Sequence, residues 1–238
     1  MARFYTDNSD IGEDKLIITG DEAKHMKNVL RMQPGDTFTA FDGSGTDFDC
    51  RITALGVTVE AQILSRYQNA KEPQVSVTLY QAYPKSAKME EIIQKAVELG
   101  ARAIVPFISA RCVKKPEGAS RLRRVALSAV KQCGRSIIPE VSDILHFDEA
   151  VKRMAVHGKL IVCWEEEQQT SLKEALQGGE TDIGVVIGSE GGFEAVEVEK
   201  MRQSGGVSVT LGPRILRTET AGIAVLAAVF YEKGQMRY

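Results

Sequence analysis

VVIGSEGGF (residues 185–193) and VTLGPRILRTETA (residues 209–221) are the two stretches that decide the fold class of this chain. Each begins in a short β-branched run and leads into a predicted helix, an order typical of loops at the carboxyl edge of a parallel sheet. Their glycines allow the backbone to approach a ligand closely, although glycines in a single loop often only turn the chain. Two such loops close together, the second carrying Arg214, Arg217 and Glu219, favour a binding site.

Length and composition describe a globular protein. The 238 residues suit two modest domains or one large one, and 43% of them are hydrophobic, enough for a substantial core. The four cysteines are scattered without a C-x-x-C pair, and the three histidines lack metal-ligand spacing. No secretory signal is recognisable, and the longest apolar stretch, 221–231, is too short to span a bilayer. We therefore expect a cytoplasmic protein that binds neither a metal nor a membrane.

Charge is distributed unevenly along the chain. The net charge is −2, which argues against a protein that coats nucleic acid nonspecifically. Residues 102–135, however, contain nine lysines and arginines and a single acid, Glu117. Such a segment is either a contact surface for a polyanion or a solvated helix face, and the sequence alone leaves both interpretations open.

The first third of the chain predicts a small β-rich unit with one helix. Thr19 and Glu22 form a T-x-x-E capping box, which predicts a helix through about Leu30. Three closely spaced strands are predicted over residues 37–41, 47–54 and 57–64. Such spacing is typical of a small barrel, and the polar, proline-containing stretch 67–74 is typical of a linker. We therefore predict an N-terminal domain over residues 1–70 and a second domain over residues 74–238.

Strands and helices alternate in the second domain. The predicted strands cover residues 75–82, 103–108, 159–164, 183–187 and 207–211. The predicted helices cover residues 87–99, 119–133, 172–176, 195–204 and 218–231. This alternation predicts an α/β fold, a parallel sheet covered by helices on both faces. The first strand–helix turn, 83–88, lacks the glycines of a dinucleotide-binding Rossmann unit, and the chain has neither a P-loop nor a G-x-S-x-G elbow.

Five segments carry a family resemblance: HMKNVLRMQPGD (25–36), KMEEIIQKAVELGA (88–101), AVKQCGR (129–135), VIGSEGGF (186–193) and LGPRILRTETA (211–221). In this order they resemble the bacterial 16S rRNA (uracil-N3)-methyltransferases of the SPOUT superfamily. The resemblance implies an N-terminal PUA-like β-barrel that helps to bind RNA and a C-terminal α/β domain with a deep trefoil knot. It also implies S-adenosylmethionine as cofactor, a homodimer, and methylation of a decoding-region uridine of 16S rRNA in the assembled small ribosomal subunit.

The resemblance further implies which residues form the site. The cofactor would lie bent among three loops and contact Trp164, Glu165, Ile187, Gly188, Glu190, Gly191, Gly192, Leu211, Gly212, Ile215, Leu216, Arg217, Thr218 and Ala221. The candidate catalytic residues are Arg217, Glu219 and Arg3. Arg217 would stabilise charge on the uracil carbonyls, and Glu219 would orient Arg217 or take the N3 proton. The candidate RNA-binding residues are Arg3, His25, Arg31, Lys85, Arg111, Arg121, Arg123, Arg124 and Arg135.

The chain departs from the family pattern at a few positions. Ser189 stands where proline is usual, which predicts a less rigid first loop. Ala87, Ala110 and Lys131 stand where acids are common, which makes the surface more basic and suits RNA contact.

Structural explanations compete for the same residues. Arg217 and Glu219 would equally suit an intramolecular ion pair, and Glu190 would suit a helix cap. Two alternative functions also stay open. One is a SPOUT ribose 2′-O-methyltransferase acting on tRNA or rRNA, and the other is a noncatalytic RNA-binding factor in ribosome assembly.

Overall fold

The computed structural model describes residues 2–85, 88–113 and 118–236 of the chain. These residues belong to two compact units, Met1–Glu72 with Val130–Ile138 and Pro73–Ala129 with Pro139–Tyr238. The sequence prediction placed residues 130–138 in the second domain, whereas the structure groups them with the N-terminal unit. Ala87, where the first helix of the second domain was predicted to begin, lies outside the described residues.

A five-stranded sheet forms the frame of the N-terminal unit. Its strands are β1 (Arg3–Tyr5), β2 (Lys15–Ile18), β3 (Thr37–Phe41), β4 (Thr46–Leu55) and β5 (Val59–Gln68). The strand order is β1-β3-β4-β5-β2, with β1 parallel to β3 and the other neighbours antiparallel. Phe4, Phe38 and Phe48 pack in the core of this unit. The short strands β1 and β2 were not predicted, and β5 extends into the predicted linker.

The helix of the N-terminal unit is shorter and less regular than predicted. A 3₁₀ turn covers Asn8–Asp10, and α1 covers only Gly20–Lys24 before a π-helical turn, His25–Val29. Thr19 precedes α1 but its side chain makes no capping hydrogen bond. The predicted capping box is therefore wrong, because the Glu22 carboxylate accepts a hydrogen bond from Lys131 Nζ at 2.6 Å instead.

Glu72 explains why residues 130–138 belong to the N-terminal unit. Its carboxylate accepts hydrogen bonds from the Arg135 guanidinium at 2.9 Å and from the backbone N–H groups of Ser136 and Ile137 at 2.8 Å each. The Asn69 side chain also donates to the Gly134 carbonyl at 3.0 Å. These charge-assisted contacts satisfy backbone groups that burial would otherwise leave unpaired.

The C-terminal unit is an α/β structure, as predicted. Its strands are β6 (Ser76–Ala82), β7 (Ala103–Ile108), β8 (Glu140–Val141), β9 (Leu145–His146), β10 (Lys159–Cys163), β11 (Asp182–Ile187) and β12 (Gly206–Val209). Its helices are α2 (Lys88–Leu99), α3 (Ser120–Cys133), α4 (Phe147–Met154), α5 (Leu172–Ala175), α6 (Ala195–Gln203) and α7 (Thr218–Glu232), of which α3 runs on into the N-terminal unit with its last residues. Only β8, β9 and α4 were not predicted.

All neighbouring strands of this second sheet are parallel. Their order is β12-β10-β11-β6-β7-β8, with β9 beside β7. Because side chains alternate along a strand, Tyr80 of β6 packs with α4 and α6 on one face, whereas Gln81 lies against Gly222 of α7 on the other. Helices therefore cover both faces of the sheet. The knotted threading implied by the resemblance stays a prediction.

Helix α2 follows from the spacing of its apolar residues. In α2, the buried positions Met89, Ile92, Ile93, Ala96 and Val97 recur at helical intervals and turn one face to the core. None of the helices described here is both long and apolar enough to cross a membrane.

A substitution at Gly100 tests how α2, the first helix of the C-terminal unit, ends. It follows α2 with a φ of +113°, and an added Cβ would lie 2.6 Å from Pro73 Cγ. We expect Gly100→Ala to lower the free energy of unfolding by about 1–3 kcal/mol, because it combines backbone strain with a steric clash. Thermal unfolding measures the loss. Gly179→Ala is the matched control, since Gly179 has ordinary φ and open space around it, and equal stability of both variants would contradict the argument.

Candidate functional site

A cavity of about 850 Å³ opens at the carboxyl edge of the second sheet. It lies among the loops that follow β10, β11 and β12, which are adjacent because the strand order is β12-β10-β11. Ligands bind in this position in open α/β sheets, and the volume is typical of a small-molecule site. The strand order thus brings together three loops that are separated by tens of residues in the sequence.

Every residue for which a cofactor contact was predicted lines this cavity. Sequence reasoning did not assign Glu167 or Gln168 to it, although both line it as well. Their position shortly after the predicted residues Trp164 and Glu165 was the signal that could have found them. Two buried atoms of the lining, Trp164 Nε1 and Ser189 Oγ, have no hydrogen-bond partner among the described residues.

The buried side-chain amide of Gln81 and the buried hydroxyl of Thr218 hold the first glycine loop in place. Thr218 Oγ1 donates to the Gly188 carbonyl at 2.6 Å. Gln81 Nε2 donates to Thr218 Oγ1 at 2.9 Å and lies 3.4 Å from the same carbonyl. Because Gln81 is fully buried, these contacts satisfy polar groups that have no access to water. They also link the first loop to the first turn of α7.

Polar side chains hold the same loop from its sides. Arg111 Nη1 donates to the Gly191 carbonyl at 3.0 Å. The Glu190 carboxylate accepts from the backbone N–H of Lys85 at 3.0 Å, so the predicted capping role of Glu190 is wrong. It is Glu194 that precedes α6. Hydrogen bonds therefore anchor this loop, although the sequence predicted that Ser189 would make it less rigid.

Gly192 is required by packing within the protein. Its φ is +66°, and an added Cβ would collide with the Glu165 carboxylate. The sequence suggested that this glycine makes room for a ligand. In the structure it makes room for the carboxylate of the neighbouring loop, which brings an acidic group to the cavity.

Lys88 joins two carboxylates at the rim of the cavity. Its Nζ lies 3.0 Å from Glu219 Oε2 and 3.5 Å from Glu190 Oε1. Burial alone would raise the pKa of Glu219, but its own backbone N–H and the Lys88 ammonium outweigh burial and lower that pKa. The proposed pairing of Glu219 with Arg217 is therefore wrong. The Arg217 side chain is exposed at the start of α7 and makes no hydrogen bond or ion pair with the described residues.

Glu167 organises the loop that follows β10. Its carboxylate accepts hydrogen bonds from the Ser208 hydroxyl and from the backbone N–H of Gln169, and it lies 3.1 Å from Arg202 Nη2. The Ser208 hydrogen bond contributes most to lowering the pKa of Glu167 to about 2. The Arg202 guanidinium in turn lies over the Trp164 ring, 5.3 Å from its centroid.

Two of the predicted RNA-binding arginines are internal to the N-terminal unit. The Arg3 guanidinium forms two hydrogen bonds with Asp47, at 2.9 and 3.0 Å, and a third with Ser136 Oγ at 2.8 Å. The Arg135 side chain is 5% exposed and is paired with Glu72. These ion pairs occupy donors that a phosphate would need, so the geometry gives no support to the predicted roles of Arg3 in catalysis and RNA binding and of Arg135 in RNA binding, which stay predictions.

The remaining predicted RNA-binding residues are exposed. Arg121 is paired with Glu90 at 2.8 Å, and Arg123 is paired with Asp143 at 2.7 Å. The side chains of His25, Arg31, Lys85 and Arg124 make no hydrogen bond or ion pair with described residues. Lys114, Lys115 and Glu117 of the basic segment lie outside the described residues. Lys131 is paired with Glu22 and adds little free positive charge.

This fold and site define an RNA methyltransferase. Residues 70–230 match the RNA methyltransferase domain family, and residues 18–61 match the RNA methyltransferase PUA domain. Ribosomal RNA small subunit methyltransferase E of Bacillus subtilis is 33% identical over 234 residues, 92% of this chain and 91% of the relative. The chain belongs to the ribosomal RNA small subunit methyltransferase E family, which confirms the resemblance found in its motifs.

Solved structures agree with this assignment. The crystal structure of a ribosomal RNA small subunit methyltransferase E from Neisseria gonorrhoeae, bound to S-adenosyl methionine, is 33% identical with a TM-score of 0.87 over 97% of both chains. A putative methyltransferase from Legionella pneumophila, in complex with the same cofactor, is 30% identical with a TM-score of 0.85 over 96% of both chains.

The low pKa of Glu167 predicts a pH-dependent contribution to stability. A folded-state pKa lowered to about 2 stabilises the protein above the ordinary pKa of 4.5, and that stabilisation is lost as pH falls through about 2. We expect Glu167→Gln to lower the melting temperature at pH 7 and to differ less from the unsubstituted protein between pH 4.5 and 2.5. Glu166→Gln, at an exposed neighbour, is the control. A melting difference that stays constant over this range would refute the role.

Proposed function

We propose that this protein transfers a methyl group from S-adenosylmethionine to N3 of a uracil in 16S rRNA. The observation that carries the proposal is the cavity at β10, β11 and β12, which is lined by all the residues that the family motifs place at the cofactor. We further propose that the target is a decoding-region uridine in the assembled small subunit, and that the protein acts in the cytoplasm, where that subunit is found.

The chemistry of the cavity suits this cofactor. Ile187, Leu211 and Leu216 supply apolar surface for an adenine ring, and glycine-loop backbone supplies hydrogen-bonding groups. Glu165 and Glu190 place acidic groups near a cationic ligand. The partnerless Trp164 Nε1 and Ser189 Oγ are buried polar groups for which a bound ligand or a loop adjustment on binding would supply a partner.

The protein must position the uracil and stabilise the charge that develops on it. Bound S-adenosylmethionine supplies an electrophilic methyl group. Uracil N3 carries a proton at neutral pH, and its loss spreads negative charge to O2 and O4. Arg217 is an exposed cation on the cavity lining that no described carboxylate neutralises by direct contact, so its donors are available to those oxygens.

Glu219 is a poor candidate for the proton acceptor. Its carboxylate is hydrogen-bonded to Lys88 at 3.0 Å, and its pKa is lowered. A carboxylate stabilised in this way binds a proton weakly. We therefore assign Glu219 to the support of the loop and assign the electrostatic role to Arg217.

RNA binding is proposed to use exposed cations on both units. In the C-terminal unit these are Arg111, Arg124, Lys85 and Arg214. In the N-terminal unit, His25 and Arg31 lie on and after the exposed π-helical turn, and Arg31 has a φ of +54°, which is unusual for a residue with a side chain. Phosphate contacts by such cations would offset the cost of moving the target base out of its stack.

A homodimer is part of the proposal. The last helix, α7, exposes Ala224 and the large side chain of Tyr231, which is 72% exposed. An apolar face of this kind would suit contact with a second copy of the chain.

A methyl-transfer assay tests the proposed function. Small subunits from a strain that lacks this gene would be incubated with the protein and labelled S-adenosylmethionine, and the product nucleosides would be identified by mass spectrometry. We expect 3-methyluridine at a single position. A 2′-O-methylated nucleoside would point to ribose methylation, and the absence of both methyl transfer and cofactor binding would point to a noncatalytic RNA-binding factor.

Substitution of Arg217 tests its role in catalysis. We expect Arg217→Ala to lower kcat by about 10²-fold, because it removes donors that stabilise the developing charge, and to change cofactor affinity much less. Single-turnover methyl transfer and the fluorescence of Trp164, the single tryptophan, measure the two effects. Arg217→Lys keeps the positive charge without the guanidinium, and its kcat should lie between those of Arg217→Ala and the unsubstituted protein. A kcat that stays within twofold in Arg217→Ala would rule the role out.

Neutralisation of the exposed arginines of α3 tests the RNA surface. We expect Arg121→Gln, Arg123→Gln and Arg124→Gln together to weaken binding to the small subunit and to flatten its salt dependence. Arg124→Gln should account for most of the effect, because Arg121 and Arg123 are already paired with acids. Binding is measured over a series of salt concentrations, and an unchanged slope would exclude this surface.

A further inference from the structure

Lys88 is the one side chain of α2 whose charged group contacts acids from both sides of the cavity rim. Glu190 belongs to the loop after β11, and Glu219 is the second residue of α7, immediately after the loop that follows β12. The ammonium of Lys88 lies 3.5 Å from the first carboxylate and 3.0 Å from the second. A single cation from a third element therefore spans the two glycine-bearing loops.

Burial distinguishes this contact from an ordinary surface ion pair. The side chains of Lys88, Glu190 and Glu219 are 28%, 24% and 16% exposed. Exposed ion pairs contribute little because water screens them, whereas removing one partner of a largely buried set leaves unpaired charge. Without Lys88, two carboxylates would face each other across the rim.

The pKa shifts of Lys88, Glu190 and Glu219 agree with the geometry. The hydrogen bond to Glu219 is the main reason why the pKa of Lys88 is raised. Burial would raise the pKa of Glu190, but hydrogen bonds from backbone N–H groups and from Lys88 lower it. Arg217 adds a smaller effect of the same sign on Glu219. At neutral pH the group therefore holds one ammonium and two carboxylates.

The lower part of the two loops is already joined by a different contact. Thr218 Oγ1 donates to the Gly188 carbonyl at the floor of the cavity. Lys88 makes the corresponding link at the rim. Together the two contacts tie the loop after β11 to the first turn of α7.

We propose that Lys88 is a positioning residue that sets the separation of the two glycine-bearing loops and thereby the affinity of the cavity for its cofactor. This role rests on the proposed function, because it presupposes that the cavity binds S-adenosylmethionine. Lys88 does not itself line the cavity, and it acts through Glu190, which does, and through Glu219.

The test measures the affinity for S-adenosylhomocysteine by Trp164 fluorescence. S-adenosylhomocysteine lacks the sulfonium charge. A change in the net charge of the rim therefore does not by itself alter the electrostatic attraction between this ligand and the cavity. We expect Lys88→Met to weaken binding roughly tenfold at pH 8 and to recover affinity toward pH 5, as protonation of Glu190 or Glu219 relieves their repulsion. Lys88→Arg should retain most of the affinity.

Lys159→Met is the matched control. Lys159 is 21% exposed and pairs with Glu180 at 3.2 Å, but it lies at the amino end of β10, opposite the cavity. This variant should bind the probe like the unsubstituted protein at both pH values. Amide hydrogen exchange in residues 187–192 and 211–218 should rise in Lys88→Met and stay unchanged in the control.

Several outcomes would overturn the role. Lys88→Met affinity within twofold of the unsubstituted protein at pH 8 would do so, and so would a loss of affinity that persists unchanged at pH 5. If Lys88→Met does not fold, Glu219→Gln is tested in its place. An unchanged affinity of that variant for S-adenosylhomocysteine would also overturn the role. Failure of the unsubstituted protein to bind either cofactor form would overturn the proposed function, and this role with it.

Discussion

The parallel pairing of β12, β10 and β11 is the constraint on which the site depends. Parallel strands deliver the chain to the same edge of the sheet at the end of every strand, so three adjacent strands produce three adjacent loops. The cavity, its acidic lining and the free Arg217 all lie where these loops meet. Any change that displaced one of these strands would separate residues that function only together.

The conformation of these loops depends more on hydrogen bonds than on a conformationally restricted backbone. The carbonyls of Gly188 and Gly191 and the carboxylate of Glu190 in the first glycine loop are bound by Gln81, Thr218, Arg111 and the Lys85 backbone. Each anchor comes from a different part of the C-terminal unit. Rigidity at this site is therefore a property of the packed unit, since no single stretch of sequence contains both the loop and its anchors.

Charge on this protein is divided between internal and available groups. Arg3 and Arg135 are consumed by Asp47 and Glu72 within the N-terminal unit, whereas Arg217 and Arg124 are exposed without a described partner. The sequence does not show which basic residues are paired with acids in the folded protein. A count of positive charges therefore overstates the surface available to RNA, and the paired acids explain the difference.

The sequence by itself determined the α/β class and the bounds of most strands and helices, because hydrophobic periodicity is a local signal. The family motifs added the cofactor and the residues expected to contact it. Only the tertiary structure decided that residues 130–138 belong to the N-terminal unit, that Glu22 binds Lys131 in place of capping α1, and that Glu219 pairs with Lys88 in place of Arg217. The short strands β1, β2, β8 and β9 also lacked a sequence signal, because two to four residues carry too little periodicity. Side-chain pairing joins residues far apart in the chain, and competition among several possible partners is settled only when packing brings one of them within reach.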